Sequence, residues 1–165
     1  MPMRTPLLLL CLAASLAACG YGFVGSAPSA LPEDVRSLAM DTVKNPTLDP
    51  DLPALVISRF RDEMTQRVKT RWTDRSEARG LVSLTIQRYY LTTELSDKTD
   101  RTLKYNANIT LSATVRSKLD DRVIWQSDLV TYKETYLQAD SEEDARTRAV
   151  EFAVRRLVDR LEQAY

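Results

Sequence analysis

Between Tyr105 and Val115 the chain alternates without a break. Tyr105, Ala107, Ile109, Leu111, Ala113 and Val115 are apolar, and Asn106, Asn108, Thr110, Ser112 and Thr114 between them are polar. Successive side chains of a strand point to opposite faces, so this segment belongs in a sheet with one buried and one wet face. A parallel sheet covered on both sides would need apolar residues at both sets of positions. The remaining elements therefore have to cover one side of the sheet and leave the other to solvent or to a polar partner.

They are patterned to do so. Val35, Leu38, Met40 and Val43 predict a first strand over 35–43, and the Asn-Pro and Asp-Pro pairs between Lys44 and Pro53 predict a loop. From Leu52 to Val68 the apolar residues Leu55, Val56, Phe60, Met64 and Val68 recur at three and four, the spacing of an amphipathic helix. Asp51 is placed to cap it, with Pro53 in the first turn. Residues 69–80 are a polar connector. A second strand is expected over 81–95, with Val82, Leu84 and Ile86 in phase before the pair Tyr89-Tyr90 blurs it. After a turn at Lys118–Asp121, the β-branched and aromatic run Val123–Tyr136 predicts a fourth strand. A last helix opens at Asp140 or Ser141, acidic in its first turn and basic near its end, with Ala145, Ala149, Phe152, Ala153, Leu157 and Leu161 as its apolar stripe. The order β-α-β-β-β-α predicts an α+β two-layer sandwich: a four-stranded mixed sheet with two helices packed on one face.

The 165 residues contain no histidine, which removes Ser-His and Cys-His nucleophile pairs and imidazole-dependent zinc sites. No G-x-S-x-G elbow is present. Asp120-Asp121 and Glu142-Glu143-Asp144 have sufficient explanations as a turn and a helix start. The expectation is a protein that is not an enzyme, with no cofactor and no metal. Basic and acidic residues balance at 23 each, so no basic field points to nucleic acid. Locally, Lys98, Arg101 and Lys104 face Glu94, Asp97 and Asp100 in number, while Lys69, Arg71, Arg75 and Arg79 exceed Asp74 and Glu77, a weak pointer to an anionic partner. The tyrosines 89, 90, 132 and 136 are expected in the core and at the sheet edge.

The amino-terminal residues read as an address. One charge, Arg4, precedes an apolar run from Leu7 to Ala18 that would rise roughly 18 Å as a helix, short of the ~30 Å hydrocarbon core. Leu16-Ala17-Ala18-Cys19 resembles the lipobox of bacterial lipoproteins, where the cysteine is acylated and the leader cut before it. The predicted organisation is a lipoprotein signal peptide over 1–18, a lipidated tether over 19–34 beginning at Cys19, and a single domain over 35–165. Cys11 would leave with the leader, so the domain would have to hold by its core alone.

Cys19-Gly20-Tyr21-Gly22-Phe23, Leu31-Pro32, Lys44-Asn45-Pro46-Thr47 before a helix, the strand Tyr105–Val115, Val123-Ile124-Trp125, and Tyr136 leading into an acidic, alanine-containing helix stand in an ordered set. That set resembles the lipopolysaccharide-assembly lipoproteins, the LptE family. The resemblance implies a lipid-anchored protein on the periplasmic side of the outer membrane. It would plug the translocon barrel LptD and support lipopolysaccharide insertion at the cell surface. Gly20 after the cysteine, where an Asp would retain the protein at the inner membrane, agrees with that address. The resemblance also implies direct lipopolysaccharide contact, with Lys98 and Arg101 the nearest matches by position. The alternative is a periplasm-facing auxiliary lipoprotein of a lipid ABC transporter.

Overall fold

The computed structural model of the chain describes residues 30–95, 103–137 and 141–164. After a single 3-10 turn (Glu33–Val35) the order is β1 (Ser37–Lys44), α1 (Leu52–Arg67), β2 (Arg71–Trp72), β3 (Gly80–Leu95), β4 (Leu103–Ser117), β5 (Val123–Gln126), β6 (Val130–Tyr136) and α2 (Glu142–Gln163). The alternating segment, β4, has partners on both sides. It pairs antiparallel with β3 along its whole length, and on its other side with β5 near its end and β6 near its start. β1 joins β3 in parallel through the crossover helix α1, and the two-residue β2 lies outside β1. No helix among the described residues is long and apolar enough to cross a membrane.

The two-layer α+β sandwich is as expected; the strand count is not. The segment 123–136 is two strands. At the break, Ala113 N–H donates to the Ser127 hydroxyl at 2.9 Å while Ser127 N–H donates to Ala113 C=O at 2.9 Å. The serine side chain thus stands in for a main-chain acceptor, and residues 127–129 leave the ladder before Val130 re-enters it. Within the expected connector, Arg71 and Trp72 add a short edge strand to β1.

One core holds the layers together. Val82, Leu84 and Ile86 of β3 and Ala107, Ile109, Leu111, Ala113 and Val115 of β4 meet Leu52, Val56, Phe60 and Met64 of α1, all buried. From α2 come the expected Ala145, Ala149, Ala153, Leu157 and Leu161, together with Val150, Val154 and Val158, which widen its stripe. Phe152, expected in that stripe, sits at its margin and stacks on Tyr132 at 5.1 Å. The core reaches back to Ala30 and Leu31, so packing begins before residue 35. Burial at ~25 cal/mol per Å² of apolar surface makes this interface the main source of stability.

The phase change in β3 has a local cause. Ile86 pairs with Leu111 and Arg88 with Thr110, leaving Gln87 as an extra residue. This β-bulge moves the inward set from Val82, Leu84 and Ile86 to Tyr89 and Leu91, which lie opposite Ile109 and Ala107. A second bulge in β1, at Asp41, does the same between Met40 and Val43.

Asp51 does not cap α1 with its side chain. Asp49 does so from two residues earlier: its Oδ1 accepts from the main-chain N–H groups of Asp51 at 3.0 Å and Leu52 at 3.1 Å. Its Oδ2 accepts from Arg146 of α2 at 2.8 Å, so one carboxylate starts the first helix and ties it to the second. Burial pushes the Asp49 carboxyl up, but the Arg146 bond and the two main-chain donors outweigh it and hold it below the ordinary range. A lowered carboxyl stabilises the fold above its unfolded-state pKa and loses that contribution as pH falls through the folded value. Asp49→Asn is therefore expected to cost roughly 1–2 kcal/mol at neutral pH. Urea midpoints of the two proteins should converge once the solution is well below the ordinary carboxylate range; a gap that persists in acid would assign the loss to packing instead.

Candidate functional site

The helices leave the other face of the sheet uncovered over most of its length. At one end the connector before β3 folds across it, where Ala39, Ala78 and Leu81 form a small separate apolar cluster and Arg75 pairs with Asp41. Beyond that lid the face is polar. A shallow depression of about 280 Å³ is lined by Thr42, Lys44, Ser83, Thr85, Thr114 and Arg116.

Past the Gln87 bulge, three cross-strand rows line up on β3, β4 and β6. They are Arg88–Thr110–Thr131, Tyr90–Asn108–Lys133 and Thr92–Asn106–Thr135. Thr110 and Thr131 hydroxyls lie 3.0 Å apart, and Thr135 donates to Asn106 Oδ1 at 2.7 Å. Asn108 Nδ2 donates to Asn106 C=O at 3.3 Å and to the Thr92 hydroxyl at 3.4 Å. Both asparagines are buried by the flanking side chains although they lie on the uncovered face. They form a fixed floor of amides and hydroxyls.

Cations stand above that floor. Arg88 and Lys133 are exposed on neighbouring rows, two strands apart, which places their Cα atoms about 12 Å from each other by ordinary sheet spacing. Lys104 follows Asn106 on β4. None of the three forms an ion pair among the described residues, whereas Arg67, Arg146, Arg148 and Arg155 on the helix side are all engaged with carboxylates. Unpaired cations over hydrogen-bond donors form a surface that fits phosphate groups or a polar protein wall.

Nothing on this face makes a reactive pair. No group of three potential metal-ligating His, Cys, Asp or Glu side chains occurs among the described residues. Tyr89 lies on the helix side, where burial and then the Glu142 carboxylate push its hydroxyl up to about 12, so it stays neutral in ordinary conditions. Tyr136 stacks on Tyr105 at 5.3 Å near the sheet margin. Tyr90 alone of the four singled-out tyrosines is on the uncovered face, 44% exposed beside Asn108.

Cys19, Lys98 and Arg101 lie outside the described residues. Arg88 and Lys133 were not singled out from the sequence. They are 45 residues apart and each occupies an ordinary solvent-side position of a strand. Only the β3–β4–β6 register brings them together.

Comparison with known proteins agrees with this architecture. None of the curated protein sequences matches the chain. Among solved structures, a minor lipoprotein from Acinetobacter baumannii superposes with a TM-score of 0.50 at 10% identity, covering 81% of this chain and 95% of that one. A lipoprotein from Caulobacter crescentus gives 0.53 at 12% identity, covering 79% and 90%. At such identities the likeness concerns the fold. The family is shown by the LptE profile, described as lipopolysaccharide-assembly, which matches residues 35–161. By that match over most of its length, the chain belongs to the LptE family of non-enzymatic lipopolysaccharide-assembly lipoproteins.

Proposed function

We propose that this lipoprotein works at the outer membrane, anchored through acylated Cys19, as the plug and assembly partner of the LptD barrel. The observation that carries the proposal is the uncovered sheet face, a polar surface of Asn, Thr and Ser side chains on which Arg88 and Lys133 make no ion pair among the described residues. The lumen of a large outer-membrane barrel is polar and wet, so a plug has to present such a surface while keeping its apolar side chains inside. The same cations suit the phosphates of lipopolysaccharide, and the β3–β4 connection supplies Lys98 and Arg101 as further contacts. The protein contributes shape and charge, and no bond is made or broken.

Affinity purification of the tagged chain from detergent-solubilised membranes should bring down a stoichiometric β-barrel protein. Recovery of an inner-membrane transporter instead would reject the plug. Cys19→Ser should abolish labelling by radioactive fatty acid and move the protein into the soluble fraction; persistent label would reject the anchor.

A further inference from the structure

At one end of the sheet β1, β3 and β5 begin and β4 ends, because Leu38 pairs with Gly80, Gly80 with Ser117, and Arg116 with Val123. The chain also enters the domain here, through buried Leu31 and the turn Glu33–Val35. Eleven residues run from Cys19 to Ser29, a span of at most ~40 Å. An acylated Cys19 therefore keeps this end within reach of the bilayer.

This end of the sheet carries exposed apolar side chains. Leu119, in the turn between β4 and β5, is 96% exposed, and Val123 beside it is 50% exposed. A cavity of about 550 Å³ opens between Val35, Ala78, Arg79, Lys118 and Leu119. Arg71 and Arg79 are exposed without a carboxylate partner among the described residues, and Lys118 donates to the main-chain carbonyl of Ser76 at 2.7 Å. Several acids nearby are already engaged: Asp120 with Arg122 at 3.6 Å, Asp121 with Arg116 at 3.5 Å, and Glu33 with Arg36 at 3.4 Å. Glu77 accepts the Thr73 hydroxyl at 3.0 Å. Among the described residues neither Glu77 nor Asp74 has a cationic partner, so the two offset two charges.

We propose that this end docks on the anionic phospholipid surface of the bilayer that holds the anchor, with Leu119 entering the headgroup–acyl boundary and Arg71, Arg79 and Lys118 lying against lipid phosphates. An apolar tip among cations is the pattern of an interfacial contact, and anionic headgroups attract each nearby basic residue. This docking belongs to the anchored domain before it enters a barrel. This inference rests on the acylation of Cys19.

The mature chain has no cysteine but Cys19, so Leu119→Cys and Leu48→Cys each carry a single fluorescent probe on the full lipidated protein. Leu48 is fully exposed in the loop beyond the far end of β1. In vesicles of phosphatidylcholine and phosphatidylglycerol containing nitroxide-labelled lipid, the probe at 119 is expected to be quenched at least threefold more than the probe at 48. Arg71→Glu with Arg79→Glu should remove most of that difference, at about fivefold per cation in the docking equilibrium. Protein that floats with the vesicles but shows equal quenching at the two positions would overturn the docking and leave the anchor standing. Failure to float, with no acyl label, would overturn both. A probe at 119 shielded only when a barrel protein is co-reconstituted would assign this end to a protein contact, and the membrane proposal would fall.

Discussion

Deleting Thr110 should collapse the stability of the domain, while deleting Gln87 or replacing it with alanine should leave it folded. Gln87 is exposed and is the one residue by which β3 exceeds β4 between the Ile86–Leu111 and Arg88–Thr110 pairs. Without it β3 would alternate without a break and still hold Tyr89 and Leu91 toward the helices, whereas loss of Thr110 makes Ile109 and Leu111 neighbours on β4 and forces them to opposite faces, because a one-residue slip exchanges the two faces of a strand. Turning Ile109 and Ala107 to the wet face and Asn106 and Asn108 into the core costs at least about 4 kcal/mol. For a domain of this size that lowers the melting temperature by roughly 10 °C or more. The alanine variant keeps the bulge and should change stability by less than about 0.5 kcal/mol. Circular dichroism melts of the three variants decide the matter: a Thr110 deletion melting within a few degrees of the parent would mean that the hydrophobic phase does not set this register.

The same bulge shows how far the fold could be foreseen. Where period and length were unambiguous, as in β4, α1 and α2, the elements lie where their apolar residues require. The phase shift in β3 was visible as two adjacent tyrosines, but Gln87-Arg88 looks like any polar pair and gave no sign of which residue stood outside the ladder. The break at Ser127 was hidden for another reason: a serine hydroxyl replacing a main-chain acceptor leaves no trace in hydrophobicity. Asp49 capping α1 in place of Asp51 was masked because acids stand at both positions of Asp49-Pro50-Asp51 and only main-chain geometry chooses between them. The surface was harder still. A charge cluster close in sequence, such as that around Lys98 and Arg101, is conspicuous, whereas Arg88 and Lys133 become neighbours only after β3, β4 and β6 are in register.

That contrast leads to the second large effect, on binding. Arg88→Glu combined with Lys133→Glu is expected to weaken capture of lipopolysaccharide by the purified protein at least tenfold. Among the described residues neither cation has a carboxylate partner over the Asn106–Asn108 floor, so each can donate to phosphate, and a charge-assisted hydrogen bond contributes about 1.5–3 kcal/mol. Reversal adds repulsion to that loss. Both side chains are exposed and make no ion pair among the described residues, so the melting temperature should hardly move. Two companion proteins make the result specific. Arg59→Glu, on the helix layer, changes net charge by the same amount per site and should bind as the parent does; a matching loss there would reduce the effect to overall charge. Lys98→Glu with Arg101→Glu tests the connection between β3 and β4 separately. If that pair abolishes capture and the Arg88–Lys133 pair does not, the sheet face is a wall for the barrel and the lipid is held at the hairpin end. If Arg88 and Lys133 carry the loss, the phosphates lie across β3, β4 and β6, on a floor whose hydrogen bonds are made before any ligand arrives, so binding costs little reorganisation of the protein.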